Sequence, residues 1–245
     1  MDYSDYILNN KEKIIGLLEY VFLCSVFAFF FYRSVIAFIV FLPGVFYFRK
    51  IYIASLITKR KKKLSTEFSQ TLYSVISGLK AGYSIENAFI EAKRDAELFF
   101  GSESLMVFEI QIIKSGLNMH MNLEDLIEDL GTRSGDEEIL LFADVFKCAK
   151  RNGGNITEVL SETADRIQER ICIDREIDLL ISEKLLELRI MEVVPFVILI
   201  YLDITSRGYF DILYEGLRGR LVMTICLMVY IVAAFVAEKI VRIKV

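Results

Sequence analysis

Long apolar stretches at both ends of this chain constrain its fold more than any other feature. Residues 14–32 are interrupted by a single charge, Glu19; residues 34–48 carry no charge, and residues 221–237 are a run of 17 uncharged residues. About 20 apolar residues in a helix cross the roughly 30 Å hydrocarbon core of a bilayer. Residues 190–202 form a shorter apolar segment. We therefore predict four transmembrane helices, with this segment as the third.

The charged residues are segregated from the apolar stretches. Residues 64–189 hold 24 of the 33 acids and 13 of the 29 Lys and Arg, a formal net charge of −11. Residues 49–63 hold seven basic residues and no acid. This combination is typical of a membrane protein with one acidic soluble domain. With two prolines and few alternating patterns, a β-sandwich or barrel is not expected.

Basic residues predict the orientation of the membrane segments. Most Lys and Arg near the predicted spans fall on one side, including the seven in residues 49–63 and three in residues 239–244. Since cytoplasmic loops are enriched in Lys and Arg, we expect both termini and residues 64–189 in the cytoplasm. The main role expected for residues 59–63 is to determine the membrane topology. They are also suited to contact with anionic lipid. The acidic region that follows argues against nucleic-acid binding.

Within residues 64–189, apolar residues recur every three or four positions, which predicts amphipathic helices. Gly82 and Ser84 separate the first two, and Ser84 is placed to cap the second. Further helices are predicted over about 104–115, 123–133 and 136–151, and a sixth begins at Asn155 with Glu158 completing a capping box. The apolar face of the first helix consists of Phe68, Leu72, Val75, Ile76 and Leu79. The apolar face of the second helix consists of Ile85, Ala88, Phe89, Ala92, Ala96 and Phe99.

The predicted fold is all-α: a polytopic membrane protein with four transmembrane helices and one cytoplasmic six-helix bundle. Residues 1–48 form an N-terminal transmembrane hairpin, and residues 49–63 form a basic cytoplasmic linker. Residues 64–189 form the helical domain, and residues 190–245 form a second pair of transmembrane helices with a short cytoplasmic tail. No Gly or Pro occurs between Asn155 and Val194, so the sixth helix is expected to continue into the third span.

The sequence has no motif that indicates an enzyme. No G-x-x-x-x-G-K-[ST] loop is present to bind nucleotide phosphates. The single histidine, His120, lacks the Glu-x-x-His spacing of carboxylate-bridged metals, and no two cysteines have C-x-x-C spacing. We therefore predict no catalytic residue, cofactor or metal ligand. The acids at residues 136–138 are explained by the helix dipole at a helix start, and a membrane-bound hydrolase has the least support.

Three residues in or near the predicted spans are candidates for a membrane function. Glu19 lies closest to the interior of a span, where a carboxylate indicates a proton relay or an interhelical hydrogen bond. Glu192 is expected at the interface, and Pro195 is expected to kink the third span or free a carbonyl there. A transporter or channel subunit that uses Glu19 and the Pro195 kink is therefore an alternative function.

Several stretches, taken in order, resemble the type II secretion F domain, and within it the tight-adherence (Tad) pilus platform proteins of the TadB type. The resemblance covers most of residues 64–245. It rests on the following residues: 78–85 with Ala88, Arg133-Ser134, 153–160, 190–195 and 208–210.

This resemblance implies a non-enzymatic platform in a bacterial cytoplasmic (inner) membrane that couples a secretion ATPase to pilin assembly. The implied partners are the ATPase, pilin subunits and a second platform protein of the same family, in a homo- or hetero-oligomer. A sporulation-stage III relative of the same superfamily stays open as an alternative. Candidate docking residues are the two turns and nearby acids: Gly82, Tyr83, Ser84, Arg151, Asn152, Gly153, Gly154, Asn155, Glu158 and Asp165.

Overall fold

The computed structural model describes Tyr3 and residues 10–32, 44–152, 155–205 and 216–241. Within these ranges the chain forms eight α-helices and no strand, so the predicted all-α class is confirmed. The helices are α1 Asn10–Tyr32, α2 Val45–Lys80, α3 Ile85–Phe100, α4 Leu105–Asn118, α5 Leu123–Ser134, α6 Glu137–Asn152, α7 Ile156–Thr205 and α8 Gly216–Val241.

The chain divides into two compact units, which are described separately. The first, here called the bundle unit, contains Ile53–Asp174 together with Tyr3. It comprises six helical segments: α2 from residue 53 onward, α3 to α6, and α7 as far as residue 174. The second, here called the apolar unit, contains α1, the beginning of α2, α7 from residue 175 onward, and α8.

Consecutive helices of the bundle unit pack against one another, α3 on α4, α4 on α5 and α5 on α6. The centre is aromatic: the ring of Phe142 lies edge-on to Phe68, with centroids 5.3 Å apart, and stacks on Phe146 at 6.2 Å. The predicted faces of the first two helices are buried except at Leu79, which is partly buried, and at Phe99. Phe99 is 74% exposed, and its neighbour Phe100 packs against the core instead.

Side-chain caps determine where the bundle helices begin. Ser84 Oγ accepts a hydrogen bond from the backbone N–H of Asn87 at 3.3 Å, as predicted. Asp136 Oδ1 accepts from the backbone N–H groups of Glu138 and Ile139 at 3.0 and 3.3 Å. These bonds satisfy amides that have no partner within the helix. They also give the acid at residue 136 a structural role.

Helix α4 has a second cap, contributed by another helix. Ser104 Oγ accepts from the backbone N–H of Val107 at 3.2 Å, and Glu67 Oε2, on α2, accepts from Met106 N–H at 3.0 Å. Glu67 is 2% exposed, and its Oε1 makes no hydrogen bond, although Lys63 Nζ lies 3.7 Å away as an ion pair. This carboxylate ties α2 to the start of α4.

Helices α7 and α2 are the two longest among the described residues. Helix α7 is continuous over 50 residues and includes Pro195, so the expectation of an unbroken helix from residue 155 is confirmed. At 1.5 Å per residue it is about 75 Å long. Helix α2 includes residues 49–63, so the segment predicted as a basic linker is helical.

One helix among the described residues is long and apolar enough to cross a membrane, Leu221–Val241 of α8. About 11% of its most apolar stretch is buried by the residues that the structure describes. The apolar part of α1, Ile14–Phe27, is shorter. Residues 190–202 lie within α7, and most of residues 34–48 lie outside the described residues. The four-span arrangement therefore stays a prediction.

Aromatic side chains join three helices of the apolar unit. Phe27 on α1, Phe196 on α7 and Tyr230 on α8 have ring centroids 5.5 to 6.0 Å apart. The Tyr230 hydroxyl also donates to the backbone carbonyl of Glu192 at 2.9 Å. This bond lies three residues before Pro195, whose missing N–H leaves a nearby carbonyl of the helix without its usual donor.

Candidate functional site

The helix ends that flank both predicted docking turns lie at one end of the bundle unit. Lys150 Nζ, in the last turn of α6, lies 3.5 Å from Glu86 Oε1 and 3.2 Å from Glu124 Oε2. These acids belong to the first turns of α3 and α5. This end is opposite to Ile53, where α2 enters the unit. We call its turn residues the distal surface: Gly82, Tyr83, Ser84, Met119, His120, Met121, Asn122, Arg151, Asn155 and Glu158.

The turn between α2 and α3 presents an aromatic side chain at the distal surface. Gly82 has φ +93, a conformation that glycine adopts without steric cost. The backbone N–H of Tyr83 donates to the carbonyl of Gly78 at 3.1 Å, which fixes the turn on the end of α2. Tyr83 is 54% exposed. A large side chain is thus held by a defined backbone while much of its surface faces outward.

The turn between α4 and α5 adds two methionines that the sequence analysis did not single out. The N–H groups of His120 and Met121 donate to the carbonyls of Leu117 and Gly116, both at 3.0 Å. This pattern is a Schellman motif, with His120 at φ +61 in the position glycine usually occupies. Met119 and Met121 are 74% and 50% exposed. The sequence signal for these exposed residues was the pair of methionines on either side of a residue that ends a helix.

The turn between α6 and α7 is described on both sides of its glycines. Arg151 is exposed at the end of α6. Asn155 Oδ1 accepts from the backbone N–H of Glu158 at 3.4 Å, and its Nδ2 donates to Glu158 Oε2 at 3.2 Å. The predicted cap by Asn155 is therefore present, but the Glu158 carboxylate bonds the side chain of Asn155, whereas a capping box bonds its backbone N–H. The side chain of Asn152 and all of Gly153 and Gly154 lie outside the described residues.

Asp165 lies on the flank of the bundle, two turns after Glu158 along α7. Its Oδ1 accepts a hydrogen bond from the Tyr73 hydroxyl at 2.9 Å, which joins α7 to α2. Partial burial, together with this bond, raises the pKa of Tyr73 to about 12. The structure thus gives Asp165 a bonding partner within the chain and separates it from the distal turns.

The distal end of the bundle has mixed charge. The acids Glu86, Glu124, Asp125 and Glu158 lie there with Lys80, Lys150 and Arg151. The net charge of residues 64–189 is therefore not concentrated at this end. An exposed tyrosine and two exposed methionines surrounded by charges of both signs resemble the composition of protein–protein interfaces, where apolar anchors lie inside a polar rim. Methionine suits such surfaces because its flexible side chain adapts to a partner.

A buried polar cluster lies near the opposite end of the bundle unit. Glu109, on α4, is fully buried, and both its oxygens accept from Arg133, at 3.0 and 2.7 Å. Arg133 Nε also donates to Asp129 Oδ2 at 2.6 Å. The Tyr3 hydroxyl donates to Glu109 Oε1 at 2.6 Å. Burial and this bond raise the pKa of Tyr3, and the bond to Glu109 raises the pKa of Arg133.

Residues of the basic segment 59–63 have partners inside the bundle unit. Arg60 lies over the ring of Tyr3, with Cζ 5.0 Å from the centroid. Lys61 Nζ donates to the carbonyl of Gly135 at 3.4 Å, and Lys63 pairs with Glu67. Contact with anionic lipid would therefore compete with these bonds for Arg60, Lys61 and Lys63.

The residues predicted for a membrane function are not brought together by any described contact. Glu19 lies on α1, and its side chain is outside the described residues. Glu192 and Pro195 are close in sequence on α7, and Pro195 is exposed. Within the described ranges no three His, Cys, Asp or Glu side chains are grouped as metal ligands, and no two cysteines form a disulfide.

Comparison of the chain with protein-family models, with curated proteins and with solved structures finds no match.

Proposed function

We propose that this protein is a non-enzymatic platform in a bacterial cytoplasmic membrane, and that its distal surface docks the secretion ATPase of a Tad or type IV-like pilus machine. One observation carries the docking part of the proposal. Three separate turns meet at one end of the bundle unit and place Tyr83, Met119 and Met121 on its outside. The pilus assignment itself rests on the resemblance to the type II secretion F domain.

The composition of the distal surface supports a protein partner over a small-molecule substrate. Tyrosine and methionine are enriched at the centres of interfaces, and charged residues are enriched at their rims. The net charge of −11 in residues 64–189 favours a basic partner by accelerating encounter, with a smaller effect on final affinity. In this proposal the acidic excess attracts the ATPase, and the apolar residues of the distal surface supply specific contact.

The membrane part of the proposal rests on α8 and on the apolar segments predicted from the sequence. Leu221–Val241 has the length and composition of a span. Tyr3 contacts the bundle unit, which supports placing the N-terminus on the same side of the membrane as the bundle. With the excess of basic residues on that side, the proposed arrangement has four spans and both termini in the cytoplasm.

The continuous helix α7 supports a coupling role. It supplies residues to both units without a break at the boundary between them. In this proposal, ATP-driven movement of the docked ATPase is passed along α7 to the apolar unit, where pilin subunits are handled. A second platform protein or a second copy of this chain would complete the assembly.

A binding measurement with purified components tests the proposal. The full chain in lipid nanodiscs is mixed with a purified secretion ATPase of the Tad type, and binding is followed by biolayer interferometry at low and at physiological salt. We expect saturable binding that weakens as salt rises, since part of the attraction is electrostatic. An ATPase that fails to bind at low salt would contradict the proposal.

A further inference from the structure

We propose that Arg60, Glu109 and Arg133 form a tyrosine-binding site, and that the chain's own Tyr3 is its ligand. The site lies in the bundle unit, away from the distal surface, and does not depend on the proposed function. The site would bind a tyrosine residue through its phenol side chain and its own backbone N–H.

The site contacts every part of the tyrosine. The hydroxyl donates to Glu109 Oε1 at 2.6 Å, and the Arg60 guanidinium lies 5.0 Å from the ring centroid. The backbone N–H of Tyr3 donates to the carbonyl of Arg133 at 3.1 Å. Tyr3 is fully buried by these contacts. Three helices therefore contact one residue: α2 contacts the ring face, α4 the hydroxyl and α5 the backbone N–H.

The hydroxyl gives the site its chemical preference. Phenylalanine has the same ring but would leave Glu109 without this donor, and a buried acceptor that loses a partner is penalised. Discrimination based on a buried hydrogen bond is stronger than discrimination based on shape alone. The site therefore prefers tyrosine to phenylalanine, although both fit the space beside Arg60.

The site is built to remain intact when the tyrosine leaves. Glu109 keeps both bonds from Arg133, and Arg133 keeps its bond to Asp129 at 2.6 Å. No charge is stranded by removal of Tyr3, in contrast to removal of either member of the ion pair. When the tyrosine leaves, water can form hydrogen bonds with the polar groups of this site. An apolar pocket emptied in the same way would lose its packing contacts without such a replacement. Although its ring is fully buried within the apolar core, Tyr3 is therefore a ligand that can dissociate.

The experiment uses the full chain and a synthetic peptide of residues 1–9. The peptide is titrated against wild-type protein, against the Tyr3→Ala protein and against a Tyr6→Ala control, and binding is measured by isothermal titration calorimetry in detergent. We expect the peptide to bind the Tyr3→Ala protein at least about tenfold more tightly than the other two, because their sites are already filled. The same peptide carrying Tyr3→Phe should bind about tenfold more weakly or worse.

Two results would overturn the proposal. One is equal affinity of the peptide for the wild-type and Tyr3→Ala proteins, and the other is equal affinity of the tyrosine and phenylalanine peptides for the Tyr3→Ala protein. A Glu109→Gln change in the Tyr3→Ala protein should reduce the preference for tyrosine, since an amide oxygen is a weaker acceptor than a carboxylate. An unchanged preference would remove Glu109 from the site.

A second measurement covers the case in which the Tyr3→Ala protein does not fold. A photoreactive benzoylphenylalanine is placed at position 3 of the otherwise wild-type chain, and crosslinked peptides are identified by mass spectrometry. Crosslinks within one chain to α2, α4 or α5 support the proposal. Crosslinks between chains would assign the site to the tyrosine of a second copy, and crosslinks elsewhere would remove the site; both overturn the proposal as stated.

Discussion

The carboxylate of Glu109 is bound at two points by the guanidinium of Arg133, across two helices and away from solvent. The side chain of Glu109 is fully buried and that of Arg133 is 19% exposed. Two parallel N–H to oxygen bonds of this kind fix the relative orientation of α4 and α5. Since both helices end or begin near the turns that form the distal surface, the pair contributes to the geometry of that surface.

Removal of the Glu109 carboxylate should strongly destabilise the bundle. Glu109→Ala removes the buried carboxylate that Arg133 binds at two points, and breaking a buried ion pair by removing one partner costs about 3 kcal/mol. Thermal unfolding of the full chain in detergent, followed by circular dichroism, measures the loss. Replacing both residues, Glu109→Leu with Arg133→Met, should restore part of the stability, because no buried charge is then stranded but the Tyr3 hydroxyl loses its acceptor.

The exposed pair of Glu162 and Arg166 provides a matched control. Its side chains are 65% and 74% exposed, although the distance of 2.7 Å equals that of the buried pair. Glu162→Ala should change stability by about 0.5 kcal/mol or less, since water screens exposed ion pairs. If the two substitutions have equal effects, burial of Glu109 is not what gives the pair its importance.

Alkaline pH should weaken the contribution of the Tyr3 hydroxyl. The folded state raises the pKa of Tyr3 above the ordinary 10.0, so the unfolded chain loses this proton first as pH rises. The stability that the hydroxyl provides is complete below about pH 10 and declines above it. The stability difference between wild type and Tyr3→Phe should therefore shrink between about pH 10 and 12. A difference that stays constant over this range would show that Tyr3 is not buried against Glu109.

Gly131 lies where α5 and α6 approach each other closely. A Cβ at this position would lie 2.8 Å from Leu140 Cδ2 and 3.2 Å from Leu140 Cα. Gly131→Ala should therefore destabilise the bundle by roughly 1–3 kcal/mol through overpacking. Thr132→Ala, at an exposed neighbouring position, is the control. If Gly131→Ala instead raises the melting temperature, the gain in helix propensity outweighs the steric conflict and the helices are not this close.

The helix boundaries could be predicted because the signals that set them act over three or four residues. Ser84 and Asn87 are one turn apart, and so are Asn155 and Glu158, so each cap is visible as a short pattern. The failure at Phe99 is also local. Phe99 and Phe100 are adjacent at the end of a helix, where a periodic pattern does not decide which of the two turns inward.

The buried cluster could not be predicted, because its members are far apart in the chain. Tyr3 and Glu109 are separated by 106 positions, and no spacing rule connects them. The available sequence signal was Glu109 itself, an acid on the apolar face formed by Met106, Ile110 and Ile113. Likewise, the sequence identifies the turns of the distal surface, but only the pairing of Lys150 with Glu86 and Glu124 places them at one end.

The most direct test of the central claim compares two exposed apolar positions at opposite ends of the bundle. Tyr83 is on the distal surface, whereas Leu98, 76% exposed, is at the far end of the same helical hairpin. The affinity of the purified secretion ATPase for the nanodisc-embedded protein is measured for wild type, Tyr83→Ser and Leu98→Ser. We predict that Tyr83→Ser weakens binding by about tenfold or more and that Leu98→Ser leaves it unchanged. Binding that is weakened by Leu98→Ser and unaffected by Tyr83→Ser would contradict the proposal that the distal surface docks the ATPase.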